Sequence, residues 1–254
     1  MSYTMFYMWE GYRQRMIAEH NFYVEQAQKR LLTQFDNMEA EADKATEEYL
    51  DKMSTHFNPD IHDPSDFYEA AYDKGIEFYQ LLSELLENTR LNVIAGMFHQ
   101  WDKSLRDWIV NEVRHWHRGE NLPKAIWKVD FPAITGFLAA VGFDVRQFPC
   151  YEQLNAMRLV VNVFKHGNGS SLDDLQKLFP QFFPNPLGGC GERRFPFSDA
   201  DHTDMKVSDV HLKSFSGAIL DFWQAVPERI FDADNLCTTC WPKALKDAWE
   251  KDGQ

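Results

Sequence analysis

Three polar side chains in one stretch could do proton-transfer and phosphate chemistry. They are Arg158, Asn162 and His166, spaced four apart within residues 151–174. At about 100° per residue, each step of four turns only about 40°, so the three form a row along one side of a helix. Asn155 stands ahead of the row and Lys165 beside its end. An imidazole exchanges protons near neutral pH, a guanidinium or ammonium holds a phosphate, and a carboxamide orients either. The same residues also have a purely structural reading. Lys165 and His166 stand where a helix C-terminus favours positive charge, and Gly167 where glycine ends helices.

The row needs a helix to carry it, and the pattern predicts one over 151–166. Leu154, Met157, Val160, Val161 and Phe164 recur at threes and fours on the opposite side. Asn168-Gly169 then adds a turn. Upstream, His99, Asp102 and Arg106 share one side of another helical stretch. That spacing fits helix-surface pairing. His99 and Asp102 join a substrate site only if they face Arg158 and His166 across a groove.

The remaining elements are read as follows. Residues 3–57 hold no proline and a mid-section of good helix formers, which predicts one long helix over 1–57, bent near Asn37. Asn58-Pro59 and Asp63-Pro64 mark a turn, and Ser65 is a candidate N-cap for a second long helix reaching His117. In it Met97, Trp101, Leu105, Trp108 and Trp116 point inward, while Arg114, His115, His117 and Arg118 compensate the helix dipole and meet solvent. Short helices are expected over 132–141 and 171–179, and a longer one over 208–231. Residues 180–200, rich in Pro, Gly and Phe around Leu187-Gly-Gly-Cys190-Gly191, read as an irregular loop whose glycines fit neither nucleotide-binding fingerprint. Residues 236–254 read as a C-terminal appendage. Its Cys237 and Cys240 have zinc-knuckle spacing but no second pair, so Cys190 with His202 or His211 would have to complete a site, and no metal is expected. The fold class expected is all-α: a single domain built as an elongated helical bundle, with two long antiparallel helices and shorter packing helices.

Bulk properties narrow the function. With 44% hydrophobic and 15% aromatic residues in a chain of 254, the core is large. A net charge of −13, read as spread over the whole length, repels polyanions unless a local patch overrides it. No segment reads as a signal peptide or membrane span, and the four scattered cysteines suit the cytoplasm.

The segment Leu154-Asn-Ala-Met-Arg158-Leu-Val-Val-Asn162-Val-Phe-Lys165-His166-Gly167-Asn-Gly169-Ser-Ser resembles the signature of a group of bacterial helical proteins similar to the HEPN superfamily. Residues 97–108 and 207–223 resemble other parts of that pattern. The resemblance implies a helical bundle, often a homodimer, and a metal-independent RNA endonuclease of the toxin or antiphage-defence type. His166 matches the family's histidine and Asn162 its polar position. Arg158 stands eight positions before the histidine, a longer interval than in the family motif. The implied roles are His166 as general acid or base, Arg158 and Lys165 on the phosphate, and Asn162 orienting the imidazole or a phosphate oxygen. A second protomer would supply the other proton-transfer group, and no cofactor is required. The alternative is a non-catalytic acidic helical binding protein, an immunity or antitoxin-like partner that recruits a basic protein electrostatically.

Overall fold

The computed structural model describes residues 4–184, 200–231 and 238–253. The fold is all-α with one small two-stranded ribbon. In chain order the elements are β1 (Thr4–Tyr7), α1 (Glu10–Arg30), a 3-10 turn (Leu32–Phe35), α2 (Met38–Ser54), α3 (Pro64–Trp116), α4 (Asn121–Ile126), α5 (Phe131–Ala140), α6 (Cys150–His166), α7 (Ser170–Leu178), α8 (Asp209–Ala225), β2 (Arg229–Phe231) and α9 (Lys243–Asp252). No helix among the described residues is long and apolar enough to cross a membrane.

Where the sequence suggests one domain, the chain divides into two compact units: Met1–Val24 with Ile94–Gln254, and Glu25–Val93. Charge is not shared evenly between them. The Glu25–Val93 unit holds sixteen acidic and six basic residues, a net −10 of the chain's −13, which leaves the larger unit at −3. The expectation of acidity spread along the whole length is corrected accordingly.

Residues 1–57 form no single helix. Strand β1, helix α1, the 3-10 turn and helix α2 divide them, and Asn37 is the N-cap position of α2 rather than a bend. The aromatic start becomes a strand because other elements supply its partners. Residues Thr4, Phe6 and Tyr7 pair antiparallel with Phe231, Ile230 and Arg229. The expected helix over 208–231 therefore ends at Ala225 and gives way to β2. On the other edge of β1, one row of α3 supplies the hydrogen bonds. Trp116 Nε1 donates to Met5 O at 2.8 Å and Trp108 Nε1 to Tyr7 O at 3.1 Å, while Glu112 accepts from Tyr7 N at 2.8 Å. Phe6, fully buried, packs on Trp108, Trp116 and Phe137.

The C-terminal residues are no appendage either. Helix α9 lies on α4, and the carboxylate of Asp252, 3% exposed, accepts from His117 Nε2 at 2.7 Å and from the backbone N–H groups of Asn121 and Leu122 at 2.9 Å. Burial pushes that carboxyl up, but these hydrogen bonds outweigh it and hold Asp252 well below the ordinary carboxylate range. His117 is thus a buried partner stacked on Trp249, not a solvent-facing dipole charge. Any side chain at Gly119 would overlap Asp252, so glycine there permits the close approach.

In the smaller unit, α2 and the first half of α3 come together at Gly75, whose missing side chain leaves room for Thr46. Asp63, not Ser65, caps the start of α3 by accepting from Ser65 N at 2.9 Å and Ser65 Oγ at 2.7 Å. Phe57 meets Phe67 edge-on at 5.3 Å, with the His62 ring also on Phe67.

In the larger unit, two arginines cap helix ends in the same way. Arg13 donates through Nε to the Glu10 carboxylate at 2.9 Å and through Nη1 to Trp223 O and Val226 O at the end of α8. Arg106 donates through Nε to the Asp102 carboxylate at 2.8 Å and through Nη1 to Ile126 O and Val129 O at the end of α4. Each buried guanidinium gives orphan carbonyls a donor that the helix itself cannot supply.

His20, 6% exposed, bonds Ser216 Oγ at 2.8 Å. Burial pushes its imidazole down to about 4. The unfolded chain takes up that proton near pH 6.5 and the folded chain only near 4, so falling pH favours unfolding across that window. The loss is about 3 kcal/mol. Denaturant unfolding at pH 7 and pH 4.5 should show a smaller loss in His20→Gln than in wild type, and equal losses would exclude His20 as the source.

Candidate functional site

Helix α6 is held on most of its circumference. Leu154, Ala156, Met157, Leu159, Val160, Val161 and Val163 are all buried, and α6 packs on both α7 and α8. The apolar arc is wider than the three-and-four pattern suggests, so the polar residues occupy only a narrow strip. Gly167 ends the helix at φ +69° with its N–H on Val163 O at 2.8 Å, a conformation that favours glycine.

Along that strip the candidate residues have different neighbours. Asn155 and Arg158, both half-buried, bond each other: Arg158 Nε and Nη2 donate to Asn155 Oδ1 at 3.1 and 2.9 Å. The guanidinium therefore folds back one turn toward the N-terminus of α6, away from His166. Because Arg158 and His166 are eight residues apart, they are also about 12 Å apart along the axis. Asn162, half-buried, makes a long hydrogen bond of 3.4 Å to Ser171 Oγ on α7. Lys165 and His166 are exposed. The His166 ring has no hydrogen-bond partner among the described residues.

His202, which the sequence marks only as a possible zinc ligand, stands close to this helix end. It lies in a 3-10 turn (His202–Asp204). A Cβ added at Gly167 would stand 3.7 Å from its Nδ1, so the His202 ring rests beside the residue that follows His166. Asn168 Oδ1 accepts from both His202 N and His202 Nδ1, each at 3.0 Å. The turn is anchored at both ends: Gln176 Nε2 donates to Ala200 O, and Lys206 N to Phe182 O, each at 2.8 Å. Hydrogen bonds from the Thr203 hydroxyl and amide hold the Asp201 carboxyl below its ordinary range. No local motif marks His202, since 34 residues separate it from Asn168. Only the tertiary return of the chain brings them together.

The other candidates have different positions. His99 is exposed, with its ring against Phe98, and Asp102 is the carboxylate that serves Arg106. No hydrogen bond or ion pair joins either to the α6 strip among the described residues. His211 accepts from Ser208 N at 3.0 Å in a helix cap, and burial lowers its imidazole. Cys150 is buried, and burial first and then the Asp221 charge push its thiol up, which suits packing rather than nucleophilic attack. Cys240 is exposed, while Cys190, Cys237 and most of the 180–200 loop lie outside the described residues. Compared with protein-family models, with curated proteins and with solved structures, the chain matches none.

Proposed function

We propose that the protein is an RNA endonuclease of the HEPN-like, metal-independent kind, acting in a toxin or antiphage-defence role, with its reaction centre at the end of α6. The observation that carries this reading is the exposed pair Lys165 and His166 at that end. Neither makes a hydrogen bond or ion pair among the described residues, and they stand on the unit with a net charge of only −3. The acidity that would repel RNA lies mainly in the other unit. His166 exchanges the proton, Lys165 takes the reacting phosphate, and Asn162, one turn back on the same strip, meets a phosphate oxygen. Arg158, about 12 Å along the axis, suits a neighbouring phosphate of the same strand. The test is cleavage of a labelled single-stranded RNA by purified protein in the presence of EDTA. Products ending in 2′,3′-cyclic phosphate support the reading, and intact RNA under all conditions refutes it.

A second reading draws on the smaller unit. Tyr68 and Tyr72 are each 65% exposed on α3, with Leu81 at 57% and Leu85 at 54%, on a unit of net charge −10. Exposed apolar side chains on an acidic surface suit a basic, partly apolar protein partner. An acidic binding protein of this kind would lose its biological effect in Tyr72→Glu and keep it in His166→Ala. A ribonuclease would do the reverse.

A further inference from the structure

We infer that His202 is the second proton-transfer group of the site, acting as general base opposite His166 as general acid; this rests on the ribonuclease reading above. The inference starts from a hydrogen bond with only one allowed direction. The backbone N–H of His202 can only donate, so the Asn168 atom that receives it is the carboxamide oxygen. That oxygen cannot donate, so the Nδ1 it also contacts must carry a proton. Neutral His202 is therefore the Nδ1–H tautomer, and its Nε2 lone pair is directed away from Asn168. Nε2 has no hydrogen-bond partner among the described residues. An exposed imidazole with a fixed tautomer and an open Nε2 is arranged to accept a proton.

Placement makes it a partner of His166. The His202 ring stands beside Gly167, the residue that follows His166, so it lies at the helix end that carries His166. Lys165 lies at the same helix end, and Asp201 and Asp204 are the acidic groups on the turn of His202 itself. Asp201 is engaged with Thr203 and Asp204 with Asp201 N, so neither carboxylate is the hydrogen-bond partner of the ring.

The reaction then balances within one chain. His202 Nε2 removes the ribose 2′-OH proton, the 2′-oxygen forms its bond to phosphorus, and the bond from phosphorus to the 5′-oxygen breaks. His166, protonated at the start, gives its proton to that leaving oxygen. The products are a 2′,3′-cyclic phosphate and a 5′-hydroxyl, and exchange with water restores both imidazoles. No second protomer is required for proton transfer.

The experiment compares an RNA with one scissile phosphodiester to the same RNA carrying sulfur in place of the leaving 5′-oxygen, a thiolate that departs without protonation. On ordinary RNA, His202→Gln and His166→Ala should each lose about a hundredfold or more. On the thiolate substrate His166→Ala should recover to near the wild-type rate, while His202→Gln should remain slow. Asn168→Ala, which keeps both imidazoles but releases the tautomer, should lose activity on both substrates and checks the idea should His202→Gln fold poorly. Wild-type protein that cleaves neither substrate overturns the ribonuclease reading and this inference together. Active wild type with full activity in His202→Gln, or recovery of His202→Gln on the thiolate, overturns the role of His202 alone.

Discussion

Replacing His166 by alanine is expected to lower RNA cleavage by about a hundredfold to ten-thousandfold while leaving thermal stability close to wild type. The separation follows from position. His166 is exposed in the last turn of α6, and its ring bonds nothing among the described residues. What it offers the fold among the described residues is its place at a helix C-terminus, where a positive charge is worth about 0.3 to 1 kcal/mol against a domain total of about 5 to 15. Lys165→Ala should act in the same direction with a smaller effect, through lost phosphate binding. Asn162→Ala should fall between them, because its amide is shared with Ser171. Thermal melting and single-turnover cleavage on the same preparations decide the matter. A large fall in melting temperature, or unchanged cleavage with an unchanged melt, returns the Lys-His-Gly ending to capping.

Helices were legible where one face is apolar and the other is wet. The 151–166 pattern lies within one residue of α6, and the second long helix is α3, Pro64–Trp116. The start of the chain was not legible, because its strand is made by distant partners. Nothing in Thr4–Tyr7 specifies pairing with Arg229–Phe231, nor the indoles of Trp108 and Trp116 that bond its carbonyls from α3. The same distance hid the docking of α9, where Asp252 reaches His117 across 135 positions.

The site was half legible for a related reason. Periodicity places Arg158, Asn162 and His166 on one side of a helix, but it cannot say which way a guanidinium leans. Arg158 leans onto Asn155 and away from the histidine. Nor can it find His202, whose approach depends on the turn before α8 folding back over Gly167. The spacing of Asp102 and Arg106 was compatible with a surface pair. It could not reveal that Arg106 reaches the carbonyls of α4, which makes the pair part of the core.

That pair should carry the largest single-residue effect on stability. Arg106 and Asp102 have side chains only 8% and 21% exposed, and the guanidinium makes its hydrogen bonds to one carboxylate and two carbonyls. Arg106→Met removes all of these at once. Ile126 O and Val129 O lose the donor that serves them at the end of α4. Asp102 keeps its charge with no cation beside it, and its second oxygen, Oδ1, already lacks a partner among the described residues. Breaking one side of a buried ion pair costs about 3 to 5 kcal/mol, mostly from the charge left behind. The double variant Asp102→Asn with Arg106→Met should then regain part of the loss, since neutralising the orphan removes the larger penalty, while the unbonded carbonyls remain. Denaturant midpoints of the wild type, both single variants and the double variant measure that coupling directly. Strict additivity, or a loss under about 1 kcal/mol for Arg106→Met, would mean that solvent reaches the pair and that α4 is held by its contacts with α9 alone.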